Sequence, residues 1–141
     1  MLDEASFLQI VETDPADNVT RGVYADWLEE TGRADQGEFL RLQLAVRNMP
    51  LESRASEAAR ERLRELGRRL DPKWLQTVDS LARLGNLSVR ARKWAVRLGV
   101  TTVSDLCEHS VGTILDRTFG MTVIKEYQGV LAEHGLRLRD D

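Results

Sequence analysis

The sequence predicts an all-α protein with two small helical domains, residues 1–80 and 81–141. Apolar residues recur at steps of three and four, a spacing that places them on one face of a helix. Most of these segments open on Ser, Thr, Asp or Asn and close at Gly or Pro, the residues that begin and end helices. Charge divides at the same boundary, because the first segment holds 16 acidic and 11 basic residues and the second holds 7 and 9.

The first half is expected to form five helices. The first spans residues 3–14 and has Asp3 as its N-cap. The second has Asp17 or Asn18 as its N-cap and ends at Gly32, because glycine commonly terminates helices.

The remaining three helices of this half are predicted from the spacing of their apolar and charged residues. The third carries EFLRLQLAV, and the fourth spans residues 52–70. In the fourth helix, Glu61 is placed to meet Arg64, and Glu65 is placed to meet Arg68 or Arg69, since residues three or four apart are neighbours on a helix. Asp71, followed by proline, starts a short fifth helix.

Four shorter helices are predicted between residues 87 and 138. Gly99 ends the first and Gly135 ends the last. Asp105 lies three residues after a threonine, which is the spacing of a capping box. The expected N-caps of the four helices are Ser88, Thr102, Ser110 and Thr122.

Three basic residues, Arg90, Arg92 and Lys93, lie near the start of the first of these helices. Cations oppose the helix dipole at this end, whereas the unpaired N–H groups there attract anions such as phosphate. These residues are therefore candidates for binding a negatively charged partner. Simple solvation of long basic side chains explains the same pattern equally well. Trp94, beside them, is expected to serve mainly as a core anchor.

No catalytic, metal or cofactor site is expected. Cys107 and His109 are two residues apart, so they point to different faces of a helix, and together with His134 they match no zinc-ligand spacing. A buried cysteine and two surface histidines are the preferred interpretation. Glycine-rich phosphate loops are absent from the sequence, which therefore predicts a protein that is not an enzyme.

The sequence favours a cytoplasmic location without membrane contact. No apolar run approaches the roughly 20 residues that a bilayer-spanning helix needs. The start, MLDEASFLQ, lacks the basic and apolar blocks of a secretory signal. The single cysteine agrees with this location, because it can form no intrachain disulfide.

The stretch LSVRARKWAVRLGVTTVSDL, with the glycine of TFGMT and the closing LAEHGL, resembles the C-terminal domain of the bacterial RNA polymerase alpha subunit. The similarity covers nearly all of residues 87–138. It implies a compact helical domain with a helix-hairpin-helix-like element. It also implies binding to the minor groove of A/T-rich promoter DNA and contact with transcription activators.

The same resemblance implies DNA-binding roles for named positions. The family's minor-groove arginine falls on Arg90, an asparagine three residues later is Lys93 here, and the hairpin glycine falls on Gly120. The lysine and serine that usually follow the hairpin are Thr122 and Val123 in this chain. Two positions that face phosphate in the family thus carry different side chains here, and backbone N–H groups near Gly120 to Val123 are the DNA contact expected in this region.

The segment FLQIVETDPADNVTRGVYADWLEETGR, followed by GEFLRLQ, resembles the bacterial repeat-companion domain. This is a helical module often found at the N-terminus of larger proteins that contain repeats. The similarity covers roughly residues 2–78 and implies a fold without a biochemical role. Within it, Tyr24 and Trp27 are expected to pack in the core.

Two functions follow from these observations. The protein is either a transcription-associated module that binds double-stranded DNA or an adaptor that binds RNA polymerase or transcription factors without DNA. Residues 81–141 carry only a small excess of basic over acidic side chains, so any DNA affinity is expected to be modest.

Overall fold

The computed structural model describes residues 3–84, 87–117 and 121–140, and it confirms the all-α class within these ranges. No strand occurs there, and two isolated β-bridges join Ser80 to Thr102 and Ser110 to Arg139. The helices are α1 (Glu4–Thr13), α2 (Asn18–Glu30), α3 (Ala34–Arg47), α4 (Arg54–Arg69), α5 (Pro72–Val78), a 3-10 turn (Leu81–Arg83), α6 (Val89–Leu98), α7 (Val103–Cys107), α8 (Val111–Leu115) and α9 (Thr122–Glu133). None of the helices in the described ranges has the length and apolar character needed to span a bilayer.

Most of the predicted helix starts are confirmed. In each case the cap side chain accepts a hydrogen bond from a backbone N–H two or three residues further on, which satisfies a donor that the helix itself leaves unpaired. The capping box at the start of α7 is also present, because Asp105 accepts from the backbone N–H of the cap residue. The confirmed caps are Asp3, Asp17, Asp71, Ser88, Thr102 and Ser110.

Two predicted starts are corrected by the structure. Thr122 is the first residue of α9 rather than its cap, and Met121 takes the cap position without a side-chain hydrogen bond. Met121 already has helix-like backbone angles (φ −86°, ψ −12°), so the turn begins one residue earlier than the pattern indicates. Helix α4 begins at Arg54 rather than at residue 52, because Ser53 caps it by accepting from the N–H of Ser56.

Of the two ion pairs predicted within α4, that of Glu61 with Arg64 is confirmed, and that of Glu65 is wrong. Its carboxylate binds Arg62, three residues before it, at 3.1 Å. Arg68 instead binds Glu108 of α7 at 3.0 Å, so a charge expected to act within α4 links two helices. The spacing of charges along one helix cannot predict the pair of Arg68 and Glu108, since these residues lie 40 positions apart in the chain.

Helices α1 to α5 enclose a core built around Tyr24, which is fully buried. Its ring stacks on Phe7 with centroids 5.1 Å apart. Its hydroxyl donates to Glu4 at 2.7 Å and accepts from the indole N–H of Trp74 at 2.8 Å. Because both polar functions of the phenol are satisfied, the ring can be buried without cost to its hydroxyl. Trp27 packs against the same cluster, half-buried, so both aromatic residues are core residues as predicted.

A second apolar cluster contains the buried residues from Leu81 to Leu138. Helices α6 and α9 face each other within it, and the hydroxyl of Tyr127 donates to the backbone oxygen of Ala91 at 2.6 Å. Burial raises the pKa of Tyr127 to about 12, so this hydroxyl stays protonated at physiological pH. Leu136 packs against both clusters and joins them.

A buried polar network ties the two clusters together at Asp79, which is 6% exposed. One carboxylate oxygen accepts from the amide of Gln43 at 3.0 Å, and the other accepts from the backbone N–H of Ser104 at 2.9 Å. Gln43 in turn accepts from the Arg21 guanidinium at 2.6 Å. Helices α2, α3 and α7 are therefore connected through one carboxylate and one amide.

Gly135 lies directly against the backbone of α3. Its φ is +71°, and a Cβ at this position would lie 1.9 Å from the carbonyl oxygen of Val46. Gly99 has a similar φ of +74°, yet a Cβ there would meet nothing within 4 Å. The two glycines share a left-handed backbone and differ in the space around them.

We expect Gly99→Ala to lower the free energy of unfolding by ~1 kcal/mol, the cost of placing an L-residue in the left-handed region. Gly135→Ala should lower it by a further ~1–3 kcal/mol, because α3 or the turn must move to relieve the overlap. Urea denaturation of both variants measures the difference. Equal losses would show that the close approach of Gly135 to Val46 does not constrain the fold.

Burial raises the pKa of Asp79 to about 6 from an ordinary value of 3.8. Between these values the folded protein binds more protons than the unfolded chain, so this carboxyl lowers the free energy of unfolding as pH rises. The free energy of unfolding of the wild-type protein, relative to that of the Asp79→Asn variant, should therefore fall as pH rises from about 4 to about 6.5. Denaturation at several pH values checks this, with Glu30→Gln, at an exposed carboxyl, as control. A relative stability that grows with pH would contradict the prediction.

Candidate nucleic-acid interface

Helix α6 is a short amphipathic helix with clear boundaries. Ser88 accepts from the N–H of Ala91 at 3.1 Å at its start, and Gly99 closes it in the left-handed conformation. Ala91, Ala95 and Leu98 face the core. The opposite side of the helix is left to solvent, and this side carries the basic residues predicted as a binding site.

The structure brings Arg90 and Lys93 together and separates Arg92 from them. Arg90 and Lys93 are exposed and line one shallow groove, to which Arg97 and Trp94 also contribute. Arg92 lines a different groove on the other side of the helix. Arg97 was missed by the sequence reasoning, although its spacing of four and seven residues from the other two places it on the same helix face. We call Arg90, Lys93 and Arg97 the α6 basic face.

Trp94 lies in the middle of the α6 basic face. It is half-buried and packs against the C-terminal core cluster, which agrees with its expected role as a core anchor. The guanidinium of Arg97 lies 5.0 Å from the centre of the indole ring. At an exposed site such a cation–π contact contributes roughly 0.5–1 kcal/mol, so it restrains Arg97 without neutralising its charge.

The α6 basic face is not neutralised by ion pairs within the described residues. No carboxylate oxygen there comes within 4 Å of the charged groups of Arg90, Lys93 or Arg97. By contrast, most exposed arginines of α3 and α4 have an acidic partner, as with Arg41 and Glu29 at 2.5 Å. The α6 basic face therefore presents positive charge to solvent.

The start of α6 has an anionic partner from within the chain. The carboxylate of Glu126 on α9 accepts from the backbone N–H of Ser88 at 2.7 Å and from its hydroxyl at 2.8 Å. A negative charge at this end of a helix is favourable, and it offsets the cations placed nearby. An external phosphate would thus be bound through the basic side chains rather than at the cap.

The remaining predicted positions differ in their access to solvent. Thr122 is exposed at the first residue of α9. Val123 is 4% exposed and packs in the C-terminal core, so its side chain faces away from any ligand. Gly120 lies outside the described residues.

The cysteine and histidines form no joint site. Cys107 is buried, as predicted, and burial raises the pKa of its thiol to about 12. His109 and His134 are half-buried, whereas surface positions were predicted. For His109 the reason is tertiary, because the C-terminal segment folds back and the N–H of Arg139 donates to its backbone oxygen at 3.0 Å. His134 lines a small cavity together with Arg47 of α3. Within the described ranges, no group of three or more His, Cys, Asp or Glu could hold a metal ion.

Comparisons with known proteins return no match to this chain among family models, curated proteins or solved structures.

Glu126→Gln should lower the free energy of unfolding by ~0.5–1.5 kcal/mol, because the start of α6 loses a negative charge and one of two acceptor oxygens. Glu133→Gln, at an exposed position near the end of the same helix, should change it by less than about 0.5 kcal/mol. Thermal or urea denaturation of the two variants measures the contrast. Equal effects would mean that the contact of Glu126 with Ser88 does not stabilise α6.

Proposed function

We propose that this protein is a non-catalytic, transcription-associated module that binds double-stranded DNA through the α6 basic face. The observation that carries the proposal is the α6 basic face itself, three cations on one face of a helix with no acidic partner among the described residues. The proposal also treats residues 1–80 and 81–141 as two domains and places the protein in the bacterial cytoplasm.

The three side chains suit different parts of a duplex. Arg90 lies nearest the start of α6 and is proposed to enter the minor groove, where narrow A/T-rich sequence concentrates negative potential. Lys93 and Arg97 follow along the same helix face and would contact phosphates. This arrangement selects DNA by groove shape, since an inserted arginine reads width rather than a base code.

The affinity is expected to be modest for electrostatic reasons. Three cations contribute few phosphate contacts, and the first 80 residues carry an excess of acidic side chains that repels DNA. Binding should therefore weaken steeply with added salt.

Fluorescence anisotropy with A/T-rich and G/C-rich duplexes at several salt concentrations tests the proposal. We expect Arg90→Ala to weaken binding to the A/T-rich duplex by ~1–3 kcal/mol and to remove the preference between the two. Lys93→Ala and Arg97→Ala should weaken binding to both duplexes equally, and each should reduce the salt slope by about 1.

Arg54→Ala is the matched control for this experiment. Arg54 is an exposed arginine at the start of another helix, α4, and lies in the acidic half of the chain. Its replacement should leave DNA affinity unchanged. Binding that Arg90→Ala does not affect would exclude the α6 basic face as the DNA site.

A second candidate function is a protein-binding adaptor without DNA affinity. Exposed valines on α6 favour it, because Val89 and Val96 are 68% and 77% exposed beside the basic residues. The buried centre of a protein–protein interface is more apolar than the rest of the surface, and arginine is enriched in such interfaces. Recovery of RNA polymerase or transcription factors from nuclease-treated lysate would support the adaptor, whereas partners lost after nuclease treatment would favour DNA binding.

A further inference from the structure

An open, mainly apolar groove of about 380 Å³ lies between α6 and the 3-10 turn, on the side of α6 opposite the α6 basic face. The buried residues Leu81, Ala95 and Val100 line this groove and belong to the C-terminal core cluster. Val96 also lines it and is 77% exposed. A groove of this size, with apolar side chains in its wall, can accept side chains of a partner molecule.

Helix α2 carries an exposed apolar surface at the other half of the molecule. Val19 and Val23 are four residues apart, so they lie on the same face of the helix. They are 79% and 49% exposed. Burying the two side chains against apolar atoms of another molecule is favourable, because it removes apolar surface from water. We call Val19 and Val23 the α2 valine pair.

The charges next to the two surfaces are opposite in sign. Asp26 and Glu30 follow Val23 at steps of three and seven, which keeps them on the same face of α2. Asp26 is paired with Arg41, whereas the Glu30 carboxylate has no cationic group within 4 Å among the described residues. Arg92 lines the groove, and its guanidinium has no carboxylate within that distance in the same ranges.

The charges at the start of α2 have the reverse sign. Arg47 of α3 donates to the side chain of Asn18, the residue before Val19. The groove is lined by the acidic Glu12 of α1 as well as by the basic Arg92 of α6. The face of α2 therefore passes from a cation, through the α2 valine pair, to acidic residues, and the groove offers one charge of each sign.

We propose that a second copy of this chain binds in the groove through its α2 valine pair. The valines pack against Val96 and the apolar wall, and Glu30 of one copy meets Arg92 of the other. The opposite charges set the direction in which α2 crosses the groove. The contact is heterologous, because the valine pair and the groove are different parts of one chain. A dimer therefore keeps one unused groove and one unused valine pair, and further copies can add.

The α6 basic face stays accessible in this assembly, since its residues and the groove lie on opposite sides of α6. Neighbouring copies on one duplex would then stabilise each other. This cooperativity rests on the proposed DNA binding, whereas the self-association does not, so the experiments below are made without DNA.

Sedimentation velocity of the wild-type protein from about 10 µM to about 1 mM tests the self-association. The apolar contact is small, so we expect a dissociation constant on the order of 100 µM that rises with added sodium chloride. A wild-type protein that remains monomeric over the whole range would overturn a second copy as the occupant of the groove.

Three variants at exposed positions define the contact. Val19→Asp and Val96→Asp should each weaken self-association at least about tenfold, because each places a carboxylate against apolar side chains of the other copy. Ala58→Asp, at an exposed alanine of α4 that belongs to neither surface, should associate like the wild type. Equal weakening by Ala58→Asp and Val19→Asp would show that the association is not specific to the α2 valine pair and would overturn the proposal.

A mixture of Val19→Asp and Val96→Asp distinguishes this contact from a symmetric one. The first variant keeps an intact groove, and the second keeps an intact α2 valine pair. Together they should form a dimer of one copy of each, with an affinity close to that of the wild type, and nothing larger. A mixture in which both variants remain monomeric would overturn the pairing of the groove with the α2 valine pair.

Discussion

The two halves of the molecule depend on one buried carboxylate. Asp79 lies between α5 and the 3-10 turn, where the chain leaves the first apolar cluster and enters the second. Its side chain accepts from Gln43 of α3 and from the first turn of α7, while its backbone oxygen accepts from Val103 at 2.8 Å. Contacts between apolar side chains are non-directional, whereas the hydrogen bonds of Asp79 are directional and fix the orientation of α7 relative to α3. The carboxylate thereby sets how the two clusters meet, and Gly135 permits the close approach that completes their contact.

Helix α6 shows how an unfavourable local charge is tolerated by a distant partner. Cations near a helix start oppose its dipole, and the helix itself provides no acid there. The compensation comes from Glu126, 38 residues further on, which binds Ser88 through both carboxylate oxygens. Among the described residues no carboxylate oxygen lies within 4 Å of the charged groups of Arg90, Lys93 or Arg97, while the helix remains anchored to α9. The basic residues near the start of α6 are therefore compatible with a stable helix.

Positive charge is distributed in two separate environments. The α6 basic face is exposed to solvent, whereas Arg21 and Arg47 lie around a small cavity inside the protein. Exposed cations act through screened, long-range attraction, but a buried guanidinium requires an oxygen in direct contact.

The sequence by itself determined the helical class, most of the helix N-caps and the burial of Tyr24, because these follow from local periodicity, caps and apolar patterning. It also placed Arg90 and Lys93 on one helix. Contacts between distant segments were decided by the tertiary structure. The partner of Arg68, the half-burial of His134, the carboxylate of Glu126 at Ser88 and the cavity around Arg21 all join residues far apart in the chain. Local spacing carries no information about such pairs, since only packing of the two clusters brings them together.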